Sequence, residues 1–151
     1  MTILLIVFTG LMAGIYFSFS VFIMKSFHAL PPLQGAQAMN KINDVIVNTG
    51  FLPLFFGSTL WYAGLIVWAF TDWRGPSSWL VITAALIYIL GMFAVTAFGN
   101  VPLNNRLKES AENEDSLKHY WQEYQQRWTR LNHVRTISCM AACAILTLSF
   151  S

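Results

Sequence analysis

The sequence predicts an all-α membrane protein: a four-helix transmembrane bundle with an amphipathic interfacial helix and a fourth helix that extends into the cytoplasm. Three observations carry this prediction. Of the 151 residues 56 % are hydrophobic and only 11 % are charged, with a mean hydropathy of +0.52, whereas a soluble domain carries about 25 % charged residues. Three stretches, 2–24, 45–71 and 75–105, contain no charge at all, and each exceeds the roughly 20 apolar residues that cross a bilayer. A fourth uncharged stretch, 136–151, is shorter, so its span must begin upstream near Leu131, with Arg135 reaching to the interface or into the protein. The predicted spans are 2–24, 49–70, 78–98 and 131–150.

In chain order, the first span has an uncharged leader and an apolar core too long for a secretory signal, so it is expected to stay in the mature chain. Gly10, Gly14 and Ser18 form a small-xxx-small stripe on it, which lets another helix approach closely. Pro31 and Pro32 suit a helix start. After them Ala36, Met39, Ile42 (or Asn43) and Ile46 recur at three or four, opposite Gln37, Asn40, Lys41 and Asp44, the pattern of an amphipathic helix at the membrane surface. The second and third spans are joined by a short turn at 72–77, where Trp68, Trp73 and Trp79 would form an interfacial belt. The third span is expected to end before Asn100-Val101-Pro102, and the acidic stretch 109–115 to be poor in helix. Ser116 is the expected N-cap of the fourth helix. From there Trp121, Tyr124, Trp128, Asn132, Arg135 and Cys139 follow one stripe. A helix from 116 to 150 is a rod of about 50 Å, so its first half stands in the cytoplasm.

The chain reads as one domain over 1–151, without linker or low-complexity segment. A net charge of +2 and the lack of a basic tract give no support to nucleic-acid binding. There is no phosphate loop, nucleophile elbow or HExxH helix. Cys139 and Cys143 make neither a disulfide framework nor a metal knuckle; with Ala142 they read as small packing residues on the fourth helix. Eight of the nine Lys and Arg residues lie in the first and third connections, and only Arg74 in the second. By the positive-inside rule the longer connections are cytoplasmic and both termini face outward, in a bacterial inner membrane.

The polar groups near the inner ends of the spans are the candidates for chemistry. Asn43 and Asn48 precede the second span, Asn100, Asn104, Asn105 and Arg106 follow the third, and Asn132, His133 and Arg135 open the fourth. At membrane depth such groups must pair or line a polar cavity. One reading is a latch, in which Arg135 donates to Asn side chains and to carbonyls freed near Pro102. The other is a polar-bottomed pocket walled by Phe17, Phe55, Phe56, Tyr88, Phe93 and Trp128, open to a flat hydrophobic molecule from the bilayer. His133 is the most reactive group there, able to move protons near neutral pH or bind a metal. His119 lies 14 residues away on the same helix, too far to share a metal with it, while His28 could meet it. Two histidines could serve a non-covalent haem as axial ligands; no CxxCH site for covalent haem exists.

The runs AGIYFSFSVFIM (13–24), LPPLQGAQAMNKIN (30–43), NVPLN (100–104) and WTRLNHVRT (128–136) resemble the anthrone oxygenase-like family of small four-helix membrane proteins. The resemblance covers almost the whole chain and is most specific in the last two runs. It implies that Asn100, Asn104, Trp128, Asn132, His133 and Arg135 are site residues; His28 falls outside the family pattern. Fungal relatives oxidise anthrones to anthraquinones. The implied activity is therefore oxidation of a lipophilic aromatic substrate by dioxygen, with His133 removing the proton, Arg135 and Asn132 stabilising the oxyanion, and Asn43, Asn100, Asn104 and Trp128 binding the substrate. Such a reaction requires no cofactor and no metal. The alternatives are a haem- or quinone-binding electron carrier and a non-catalytic membrane partner that docks another protein through residues 116–130. Expected partners are membrane lipid and a hydrophobic aromatic small molecule, with a homo-oligomer left open.

Overall fold

The computed structural model describes residues 2–149. The described residues form five helices and no strand: α1 (2–28), α2 (Pro32–Ile46), α3 (Phe51–Thr71), α4 (Pro76–Ser110) and α5 (Glu114–Leu148). Four of them, all but α2, are long and apolar enough to cross a membrane. Their outward faces carry exposed Leu4, Val7, Leu11, Leu60, Val67, Leu90 and Ile137, which suits lipid rather than water.

The bundle has two apolar cores stacked end to end. In the membrane half, Leu5, Met12, Tyr16, Phe55, Tyr62, Tyr88, Met92, Cys139 and Leu146 pack together. Beyond it, Met24, Ala36, Met39, Leu103, Leu107, Leu117, Trp121, Tyr124 and Trp128 make the second core. The stripe expected on α5 is buried throughout, from Trp121 to Cys139. It runs on a straight 3.6-residue period, so one face of a 35-residue helix serves both cores.

In α1 and α4 the period changes. Residues 19–23 of α1 and 89–94 and 96–100 of α4 are π-helical. On α4 the inward positions Tyr88, Met92, Thr96 and Asn100 recur every four residues, which in a regular α-helix would drift about 40° per step. The wider π turns absorb that drift and keep the stripe aimed at α5. They also account for Pro102. The third span does not end before it: α4 continues to Ser110, because the ladder has already shifted to five-residue bonds, with Val101 N–H donating to Thr96 O.

Other expectations shift as well. The N-cap of α5 is Asn113, whose side chain accepts from the N–H groups of Asp115 and Ser116, and Ser116 lies inside the helix. Residue 150, the expected end of the last span, lies outside the described residues. The first half of α5 is no isolated rod, since α2 and the extension of α4 pack along it. Ala36 and Met39 on the apolar face of α2 are consequently covered by protein, while Ile42 and Ile46 are half-buried. Gly35 marks that approach: a Cβ there would stand 2.7 Å from Phe27 O and 3.0 Å from the Trp121 ring. On the other hand, Gly10 and Gly14 face outward with nothing within 4 Å of a Cβ, so the small-residue stripe packs against no helix of this chain. Close packing instead uses Gly91 against Ser138 and Gly99 against Leu131. At the opposite end Trp68, Trp73 and Trp79 gather at the short turn, which Gly75 closes with φ +64°.

Gly35→Ala is therefore expected to lower thermal stability in detergent by about 1–3 kcal/mol through overpacking, while Gly10→Ala leaves it unchanged or slightly raised. Unfolding curves of the two variants that coincide would contradict this close docking of α2.

Candidate functional site

A polar layer separates the two cores. Asn132 is fully buried, and its Nδ2 donates to Tyr16 O and to Ser20 Oγ, each at 2.7 Å. Its Oδ1 accepts from Arg135 NH2 at 2.7 Å. Thr136 Oγ1 donates to Asn132 O and lies 3.0 Å from Ser20 Oγ. The Arg135 guanidinium lies between two aromatic faces, 4.3 Å from the Tyr16 ring centroid and 4.9 Å from that of Trp128. Stacking of this kind suits the planar, weakly hydrated arginine head group. A longer bond reaches Thr96 Oγ1 at 3.4 Å. The expected latch thus exists, but its acceptors are the Asn132 amide and the Thr96 hydroxyl rather than carbonyls freed at Pro102.

Next to this layer Asn104 Oδ1 accepts from both Tyr124 OH (2.8 Å) and Trp128 Nε1 (2.9 Å), and Asn100 Nδ2 donates to Trp128 O at 3.2 Å. These bonds tie α4 to α5 across the inner face of α5.

Arg135, Asn100 and Asn104 also line a cavity of about 200 Å³ to which all five helices contribute. Its walls include Tyr16, Phe19, Phe55, Phe56 and Trp128, and Asn43 enters from α2. Its lining includes exposed Val47, just after α2, and exposed Phe56 on α3. Drug-sized sites enclose roughly 300–1,000 Å³, so this cavity suits a compact ring system. Three buried polar atoms of lining residues make no hydrogen bond: Arg135 Nε, Asn100 Oδ1 and Asn43 Nδ2. Asn43 does approach the Tyr124 hydroxyl, which donates its proton to Asn104 and keeps a lone pair toward the Asn43 amide. Unsatisfied buried donors and acceptors are costly. The three residues that carry these atoms share one lining whose other members are mostly aromatic and aliphatic.

Six of the seven residues expected at the site therefore come together: Asn43, Asn100, Asn104, Trp128 and Arg135 in the cavity wall, and Asn132 behind Arg135. His133 does not join them. It is exposed on the outer side of α5 and lines a second groove with Lys25, His28 and Arg130. His28 and His133 do share that groove, as the sequence suggested, with His28 Nδ1 3.0 Å from Gln125 Oε1. Among the described residues no group of three or more His, Cys, Asp or Glu converges on a metal-sized point, and none of these types lines the aromatic cavity.

Three of the expected aromatic walls do not line the cavity. Phe17 is half exposed on the outside of α1. Tyr88 stacks on Tyr62 at 4.3 Å in the membrane core, with its hydroxyl 2.7 Å from Ser58 Oγ. Phe93 stands behind the wall, stacked on Phe55. Asn48 and Asn105 are exposed, and Arg106 lies over the Tyr120 ring. Tyr16 and Thr96 were not anticipated. A tyrosine within an apolar span needs a partner for its polar end, and that was the available signal for Tyr16, whose hydroxyl donates to Met92 Sδ at 3.5 Å.

The family profile described as anthrone oxygenase matches residues 48–145. That segment contains α3, α4 and all the cavity-lining residues of α5, while Tyr16, Phe19 and Asn43 precede it. No curated protein and no solved structure matches the chain.

Proposed function

The chain belongs to the anthrone oxygenase family, and on that premise we propose that it oxidises a flat, lipophilic, anthrone-like substrate with dioxygen in the cavity beside Arg135. The observation that carries this reading is that Arg135, Asn100 and Asn43, each with one buried polar atom that lacks a hydrogen-bond partner, line one largely apolar cavity. A carbonyl-bearing ring system enters between α2 and α3 and stacks on the aromatic walls. Its oxygen takes the place of the missing acceptor for Arg135, and Asn43 supplies a second donor.

The substrate methylene then loses a proton, and the charge moves to the carbonyl oxygen as an enolate. A guanidinium keeps its charge at all working pH values, so the developing oxyanion is stabilised in a water-poor site, where such interactions are strongest. Because none of the described lining residues is a carboxylate or imidazole, the proton passes to water at the opening. The electron-rich ring carbon transfers an electron to dioxygen, and the two radicals combine into a hydroperoxide. Loss of the second hydrogen from that carbon with cleavage of the O–O bond gives the quinone carbonyl and water. One dioxygen is consumed and one water released per substrate, with no external reductant. Asn132 acts through Arg135 by fixing the guanidinium.

Membranes containing the protein should accelerate oxygen uptake and quinone absorbance with anthrone above the spontaneous background. Asn43→Leu, which removes a donor and narrows the cavity, should raise KM while leaving the fold intact. Rates at background with a series of anthrones would overturn the reading.

The basic residues support an orientation with the 29–50 and 111–113 connections in the cytoplasm and both termini outside. In a background lacking Cys139 and Cys143, a cysteine at Ser77 should react with a membrane-impermeant thiol reagent in intact cells, and one at Ser110 only after lysis. The reverse labelling would invert the topology.

A further inference from the structure

We propose that the second groove, between the end of α1 and the outer side of α5, binds the phosphate headgroup of an anionic phospholipid. The groove encloses about 460 Å³ and is lined by Ser20, Lys25, His28, Thr129, Arg130 and His133 among others, with no carboxylate in its lining. Most cations at this end of the bundle are neutralised: Arg106 and Arg127 by Glu123, Lys108 by Asp44, and Lys118 by Glu114 and Asp115. Among the described residues, the side chains of Lys25 and Arg130 have no such partner. Two unpaired cations, two imidazoles and the Thr129 hydroxyl thus line one concavity, the donor set that a phosphate monoanion or diester takes, while Ser20 Oγ is held by Asn132 and Thr136.

The surroundings favour a lipid over a soluble anion. One helical turn toward the membrane, Val21 precedes Lys25, Val134 follows Arg130 and Ile137 follows His133, and all three are exposed. With Phe22, also exposed, they form an apolar surface continuous with the cationic groove. An amphiphile with its phosphate in the groove would lay its acyl chains along that surface, at the cytoplasmic boundary where anionic lipids attract basic residues.

The full chain in bilayer discs of equal parts phosphatidylcholine and phosphatidylglycerol, released for native mass spectrometry, tests this. The wild-type protein should retain phosphatidylglycerol in preference to phosphatidylcholine. Lys25→Gln with Arg130→Gln should weaken that retention about 10- to 30-fold, each single variant should fall between, and circular dichroism should report an unchanged helical fold. Lys41→Gln, at an unpaired cation outside the groove, should retain lipid like the wild type. Equal retention of both lipids, an unaffected double variant, or an equal loss in Lys41→Gln would overturn the proposal. Displacement of phosphatidylglycerol by millimolar inorganic phosphate would reassign the groove to a soluble anion and overturn it too.

Discussion

Arg135→Gln is expected to lower oxygen-dependent anthrone turnover about 100- to 1,000-fold, the usual loss when one oxyanion donor is removed from a water-poor site. Among the described residues Arg135 is the sole cation in the cavity lining, and its guanidinium is fixed by Asn132 and by the faces of Tyr16 and Trp128. Arg135→Lys should recover only part of the rate, because an ammonium keeps the charge but neither stacks between the rings nor reaches Asn132 with a planar fork. His133→Ala should leave turnover unchanged, since His133 lies on the far side of α5. Rates of the four proteins, each normalised to folded protein by gel filtration in detergent, check this ordering. A large loss in His133→Ala alongside a mild one in Arg135→Gln would move the chemistry to the outer groove.

Asn132→Ala should be the most destabilising single change in the polar layer. It removes donors to Tyr16 O and Ser20 Oγ and leaves Arg135 NH2 without its 2.7 Å acceptor. Losing the partner of a buried charged group together with two further bonds costs on the order of 2–4 kcal/mol. Asn105→Ala, at an exposed site on α4, should stay within about 0.5 kcal/mol. Thermal unfolding in one detergent measures both. Similar midpoints would mean that Asn132 does not hold α1 to α5.

The helical architecture was legible because it follows from charge-free length in the first three spans and from a 3.6-residue period in the fourth, where the stripe from Trp121 to Cys139 is buried throughout. Most of the polar part of the cavity wall was legible for a related reason, since amides and a guanidinium at membrane depth must converge on partners. His133 was misplaced by treating sequence neighbours as spatial neighbours. On a helix each residue turns about 100° from the last, so Asn132 and Arg135 share a face that His133 leaves. The π turns had no sequence signal of comparable strength, and without them Pro102 reads as a stop. Small residues such as Gly10 and Gly14 show that a helix could approach closely, but they do not specify a partner, whereas Gly35 acquires its meaning only from Trp121 across the interface.

The central claim is that Arg135 and the cavity amides stabilise the enolate of a bound anthrone. An anaerobic titration measures this directly, because without dioxygen the reaction halts after proton loss and the enolate absorbs at longer wavelength than the keto form. Bound to the wild-type protein at neutral pH, anthrone should show the enolate band and an apparent pKa well below that in empty detergent micelles, and Arg135→Gln should abolish both effects. An anthrone that binds yet keeps its keto spectrum and its micellar pKa would contradict the account.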